Sequence, residues 1–218
     1  MARLKLGVLI SGRGSNLQAL IDAAADPAYP ATIALVLSNK ADAAGLQRAA
    51  SAGIPTAVVD HRAHPGDKRA FEEAMDAELR RAGVELVCLA GFMRLLSDWF
   101  VERWRDRLIN IHPSLLPSFK GLDTHARALA AGVRLHGCTV HVVRPAMDEG
   151  PIVVQAAVPV LPGDDEHTLA ERVLAAEHRI YPLAVRLFAD GRARVEGERV
   201  VIDGAAADAG SALVNPAR

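Results

Sequence analysis

With 218 residues, 50% hydrophobic and 23% charged, the chain can bury one substantial core and lacks the composition of a disordered segment. Its 25 basic and 26 acidic side chains leave a formal net charge of -1, which argues against a protein that works by coating nucleic acid or anionic membrane. A small-molecule partner is expected instead. No apolar run reaches the length of a transmembrane helix, and the N-terminus enters a strand almost at once without a signal-type leader, so a cytoplasmic location is expected. Cys88 and Cys138 lie inside apolar strand-like runs, which suits buried reduced thiols better than a disulfide. The eight histidines show no zinc-binding spacing, and neither Cys-x-x-Cys nor His-Glu-x-x-His occurs, so a catalytic metal is not implied.

In chain order, Lys5 to Ser11 reads as a buried strand that breaks at Gly12 and Gly14, after which Asn16 caps a helix with Leu17, Leu20, Ile21 and Ala24 on its inner face. Further strand runs follow at Ala31 to Ser38, Pro55 to Val59, Leu86 to Ala90 and Leu108 to His112, with helical periodicity over Ala43 to Ala52 and Asp67 to Ala82. Such alternation predicts parallel strands joined by right-handed crossovers. The order changes after residue 135. Gly137 to Val143 and Ile152 to Val160 are strand runs joined only by Arg144 to Pro151, which predicts a hairpin. Thr168 to Ala189 reads as a long helix with Leu169, Val173, Ile180, Ala184 and Leu187 on one stripe. Arg192 to Glu196 and Arg199 to Ile202 flank a turn, and Gly204 to Arg218 is a small, polar, Ala-rich tail. The expected fold is α/β, with a mostly parallel Rossmann-like sheet, helices on both faces and an antiparallel hairpin late in the sheet. Residues 1–190 would form one catalytic domain and 191–218 a surface hairpin and loose tail.

Four features in this frame carry chemistry. The loop Ser11-Gly-Arg-Gly-Ser-Asn16 lies between the first strand and first helix, where backbone N–H groups and the helix dipole hold a phosphate. Leu17 stands where a dinucleotide fingerprint needs a third glycine, and no P-loop Lys-Ser/Thr pair follows, so a smaller phosphate ester is favoured over NAD or ATP. A tight turn without a ligand uses the same residues. Asn110 and His112, two apart on an extended segment, share a face at the point where Pro113 and Pro117 end the strand. Asp148, in the turn before the last sheet strand, could approach them from above the carboxyl ends of the strands, although Asp beside Gly is also a common turn former. A carboxylate beside an imidazole makes a usable proton carrier, and an asparagine amide suits a carbonyl oxygen gaining charge. Glu177 falls on the buried stripe of the long helix, where a carboxylate needs a ligand or a basic partner. His136 and His141 read as packed, hydrogen-bonded residues.

Taken together, the chain closely resembles the phosphoribosylglycinamide formyltransferase family. The resemblance rests on Val8-Leu-Ile-Ser-Gly-Arg-Gly-Ser-Asn-Leu-Gln-Ala19, Ser38-Asn-Lys-Ala-Asp42, Leu89-Ala-Gly-Phe-Met-Arg-Leu-Leu-Ser97 and Asn110-Ile-His-Pro-Ser-Leu-Leu-Pro117. It continues through His136-Gly-Cys-Thr-Val-His141, Met147-Asp-Glu-Gly-Pro-Ile152 and Glu177-His-Arg-Ile-Tyr-Pro182. It implies formyl transfer from 10-formyltetrahydrofolate to glycinamide ribonucleotide in purine (IMP) biosynthesis, by direct attack of the amine and without a metal. It implies that Gly14, Ser15 and Asn16 hold the substrate phosphate and that Glu177 contacts the same substrate. The folate would lie along Met93, Arg94, Leu95 and Leu96 and the loop Arg144, Pro145, Ala146, Met147 and Asp148, with Asn110 also in contact. His112 would be the proton donor, Asn110 its partner on the oxyanion and Asp148 the essential aspartate. A monomer or homodimer is expected, with no nucleic acid or membrane partner.

Several positions depart from the family pattern. Lys68 stands where bacterial relatives often carry an arginine near the folate, keeping the charge without the planar two-point contact. Asp123 replaces a histidine of some relatives, with His125 retained, and Leu174 replaces a glutamine one helical turn before Glu177. Methionyl-tRNA formyltransferase and formyltetrahydrofolate deformylase share the Asn, His and Asp arrangement but normally carry an additional domain, so the length favours neither. A non-catalytic nucleotide-binding or sensor domain of the same fold is the reading from another class.

Overall fold

The structure, a computed structural model, describes residues 2–204 and Asn215. A seven-stranded sheet is formed by β1 (Leu4–Ile10), β2 (Ala31–Ser38), β3 (Thr56–Val58), β4 (Leu86–Leu89), β5 (Leu108–His112), β6 (Leu135–Val142) and β7 (Ile152–Pro159). Its order is β3-β2-β1-β4-β5-β6-β7. The first five strands run parallel, while β6 is antiparallel to both β5 and β7. The chain therefore steps outward from β1 through β2 to β3, returns to β4 on the other side and continues to β5. That reversal opens a crevice above the carboxyl ends of β1 and β4, the usual ligand position in such sheets.

Helices α1 (Ser15–Ala25), α2 (Ala44–Ser51), α3 (Lys68–Arg81), α4 (Asp98–Arg103), α5 (Thr124–Ala130) and α6 (Glu166–Ala189) cover the sheet. Alternate residues of β1 explain the two-sided burial. Leu6, Val8 and Ile10 pack with Leu17 and Leu20 of α1 and Val173, Ile180 and Tyr181 of α6, whereas Leu9 packs on the other face with Phe71, Met75 and Leu79 of α3 and Phe100 of α4. Burying both faces is what makes the parallel strands near-continuous apolar runs. Cys88 and Cys138 are free and fully buried, and desolvation pushes both thiols up to about 12, which leaves them inert.

The late hairpin is present as β6–β7, and β8 (Ala193–Glu196) pairs with β9 (Arg199–Ile202) outside the large sheet. Helix α6 starts at Glu166, two residues before the periodic stripe suggests, because Asp165 and Thr168 form a reciprocal capping box. Two short helices, α4 and α5, escape the periodicity argument, since six or seven residues span barely two turns. Of the expected tail, all but Gly204 and Asn215 lies outside the described residues. Among the described residues no helix is long and apolar enough to cross a membrane.

Candidate functional site

The glycine loop sits at the carboxyl end of β1, where α2 moulds it. Gly14 adopts φ 71°, and a Cβ there would lie 2.8 Å from Cα of Gly45 at the start of α2. Gly45 N donates to Gly12 O (3.0 Å), and Arg48 Nε donates to Arg13 O (2.9 Å), so the loop backbone is held from behind. Helix α1 begins at Ser15 with Gly14 as its N-cap and no side-chain cap. This corrects the capping role expected of Asn16 and leaves the first-turn N–H groups for an anion. The Asn16 side chain instead donates from Nδ2 to Oε2 of Glu177 (2.7 Å), both residues being buried. The glutamate's partner is thus a neutral amide rather than a basic group, and burial raises the Glu177 carboxyl above its ordinary value.

Across the crevice, Asn110, His112 and Asp148 converge. His112 Nδ1 is 3.5 Å from Oδ1 of Asp148, with both side chains largely buried, and its Nε2–H donates to the Phe119 carbonyl (3.0 Å). Asp148 takes up φ 51° in its turn, and its Oδ2 accepts from Gly121 N (2.7 Å). The strand register puts Asn110 opposite His141 and His112 opposite Thr139. Asn110 Nδ2 donates to His141 Nε2 (3.3 Å), while His141 Nδ1–H donates to Val142 O (3.2 Å). Burial lowers the His141 pKa and keeps that ring neutral, so it can accept on Nε2. His141 thereby fixes the rotation of the Asn110 amide, leaving its second N–H to face a ligand.

The third wall follows β4. Ser11 Oγ donates to Asn39 Oδ1 (2.6 Å) and accepts from Met93 N (2.8 Å), stitching the ends of β1, β2 and β4 together. Beyond it Met93 and Leu95 are 72% and 68% exposed, and Met147 on the facing loop is 54% exposed, an unusual concentration of large apolar side chains in solvent. Glu72, fully buried on α3, accepts from the backbone N (2.7 Å) and the hydroxyl of Ser97, fixing the segment just after Leu96. A cavity of about 130 Å³ beside this segment is lined by His61, His64, Gly66, Lys68, Phe71 and Arg94. Lys68 and Arg94 therefore share one cationic recess, suited to a carboxylate. Arg144 behaves differently: its guanidinium turns to Asp106 and Glu198, so contact with a ligand would fall to its backbone. Pro145 and Ala146 carry the loop onward to Met147 and Asp148.

These features coincide with similarity to known proteins. The formyl transferase family profile matches residues 4–185. The chain is 46% identical over 201 residues to phosphoribosylglycinamide formyltransferase of Escherichia coli (strain K12), covering 92% of this chain and 94% of that protein. The chain belongs to the phosphoribosylglycinamide formyltransferase family. A solved structure of this formyltransferase family, glycinamide ribonucleotide transformylase 1 from Symbiobacterium toebii, superposes with a TM-score of 0.88 at 50% identity, covering 92% of this chain and 94% of that one. The chain is also 52% identical over 193 residues, 88% of its length, to the trifunctional purine biosynthetic protein adenosine-3 of Gallus gallus, of which it spans only 19%.

The groups that frame the site from behind are not evident from the formyltransferase motifs of the chain. Phe119, with φ 54°, offers its carbonyl to His112; Lys120 Nζ pairs with Glu149 Oε1 (2.6 Å) across the mouth; Gly121 holds Asp148. Their signal was positional only, a loop following the Asn-x-His strand. His136 was expected to be hydrogen-bonded. It is buried, with its ring edge-on to Phe119 and His125, but neither ring nitrogen has a partner among the described residues.

Proposed function

We propose that the protein transfers the formyl group of 10-formyltetrahydrofolate to the amine of glycinamide ribonucleotide. The observation that carries this reading is the convergence of Asn110, His112 and Asp148 between an anion-ready glycine loop and an apolar, cation-ended cleft. The ribonucleotide phosphate would sit on Gly14, Ser15 and Asn16 at the α1 N-terminus, with Glu177 and Asn16 taking hydroxyl donors of the same molecule. The pterin would lie against Met93, Leu95, Leu96 and Met147, and the glutamate end would meet Arg94 and Lys68.

In that pose the amine attacks the formyl carbon directly. A carbon–nitrogen bond forms, and the carbonyl oxygen gains charge that the free N–H of Asn110 and the protonated His112 stabilise. Asp148 orients His112 and takes the amine proton, through water where needed, while His112 supplies a proton to N10 as the carbon–N10 bond breaks. Placing the donors before the charge develops is the source of rate, because a pre-oriented dipole needs no reorganisation at the moment of reaction. The protein would act in the cytoplasm as a monomer or homodimer, without nucleic acid, membrane or metal.

Purified protein supplied with both substrates should consume formyl-folate only in the presence of the ribonucleotide. His112→Ala and Asp148→Asn should each lower kcat by roughly 10²- to 10⁴-fold, the usual contribution of a general acid or base. Undiminished turnover by either variant would remove the catalytic assignment. Equal consumption without the ribonucleotide would make the protein a deformylase.

A further inference from the structure

We propose that Arg144 is a positioning residue through which the β8–β9 hairpin holds the folate loop, and with it Asp148, in register with His112. The name of the loop rests on the function proposed above; the brace itself does not. Arg144 is 9% exposed and is held from three directions. Nη2 pairs with Asp106 Oδ1 (2.9 Å) in the turn before β5, and Nε donates to both carboxylate oxygens of Glu198 (3.2 Å each) in the β8–β9 turn. Nη2 also reaches the Gly197 carbonyl (3.4 Å) and Nη1 that of Val143 (3.4 Å).

The stem of the side chain closes the loop base. Gly150, with φ 123°, packs so tightly that a Cβ there would lie 2.0 Å from Val142 O and 3.0 Å from Cγ of Arg144. The last residue of the segment carrying Asp148 thus packs on the aliphatic stem of the first, whose guanidinium has its far partners 38 and 54 residues away in sequence. Within the loop only Glu149 N donates back to the loop itself, to Ala146 O (3.2 Å). Its position therefore depends on its base and on the contacts of Asp148 and Glu149 with the 119–121 segment. Glu198 is two-thirds exposed, so its share of the brace is open to screening by salt.

The test uses the full chain with Asp106→Asn and Glu198→Gln combined; both are side chains at turns, and neither touches a substrate in the proposed pose. Amide exchange of the peptide spanning Val143 to Gly150 is read first, without substrate. The brace requires a protection loss on the order of tenfold in that peptide, absent from β1 and α6. Steady-state kinetics follow: the folate KM should rise on the order of tenfold, with the ribonucleotide KM within about twofold, and Arg144→Lys alone should raise the folate KM too, because an ammonium cannot span both carboxylates. Unchanged exchange, or loss spread evenly over the molecule, overturns the brace. Selective loss of protection in a protein that transfers no formyl group upholds the brace and removes the function instead.

Discussion

Replacing His136 with phenylalanine should make the protein more resistant to acid. The ring lies 1% exposed between Phe119 and His125, at centroid distances of 5.8 Å and 5.3 Å, both edge-on. The Pro113 carbonyl approaches it without reaching hydrogen-bond geometry, and desolvation, then the neighbouring His125, lowers the pKa from 6.5 to about 4. A depressed base stabilises the fold above its unfolded value, and that stability is lost as pH falls through the window between 6.5 and about 4, where only the unfolded chain takes the proton. At about 1.4 kcal/mol per pH unit the full window corresponds to ~3 kcal/mol, a large fraction of a typical domain stability of roughly 5–15 kcal/mol. Phenylalanine keeps both edge contacts and carries no proton site. Urea unfolding of both proteins at about pH 7.5 and about pH 4.5 gives the contrast, and subtraction removes the groups that titrate in both, including the lowered His125 and His141 and the raised Glu177. Wild-type stability should drop by ~2–3 kcal/mol more than that of the variant. Equal drops would mean that the ring is solvated in the folded protein and that its burial has been misread.

Glu177→Gln should separate stability from binding. The buried carboxyl is raised, so stability is present below its unfolded value of 4.5 and lost as pH rises through the folded value; the variant should therefore unfold at higher urea than wild type near pH 8, with the gap closing in acid. Its ribonucleotide KM should nevertheless rise on the order of tenfold, since a charged acceptor is exchanged for a neutral one. Ser11→Ala leaves Asn39 Oδ1 and Met93 N without their partner, at ~1–3 kcal/mol per orphaned group, and should raise the folate KM at least several-fold; unchanged folate kinetics in the folded variant would show that Met93 needs no such tether.

The parts of the site legible in the sequence are those where local pattern and chemistry coincide. Asn110 and His112 could be read because a period-two strand assigns faces without knowledge of its neighbours, and the glycine loop because its glycines mark a strand-to-helix turn locally, although Gly45 and Arg48 of α2 hold it in place. His141 shows where that reasoning stops: its alternation was readable, yet its role in fixing the Asn110 amide comes from an antiparallel pairing between strands 31 residues apart. Arg144 is the sharper case. Its place beside the folate segment is a matter of sequence, but the direction of its side chain is decided by Asp106 and Glu198, two carboxylates brought together only when β5 and the β8–β9 turn reach the same end of β6. Both carboxylates lie within 3.2 Å of the guanidinium and hold it by charge-assisted hydrogen bonds. Hence a residue adjacent to a binding segment in sequence can act on it from the side facing away from the ligand, and only the long-range topology distinguishes the two roles.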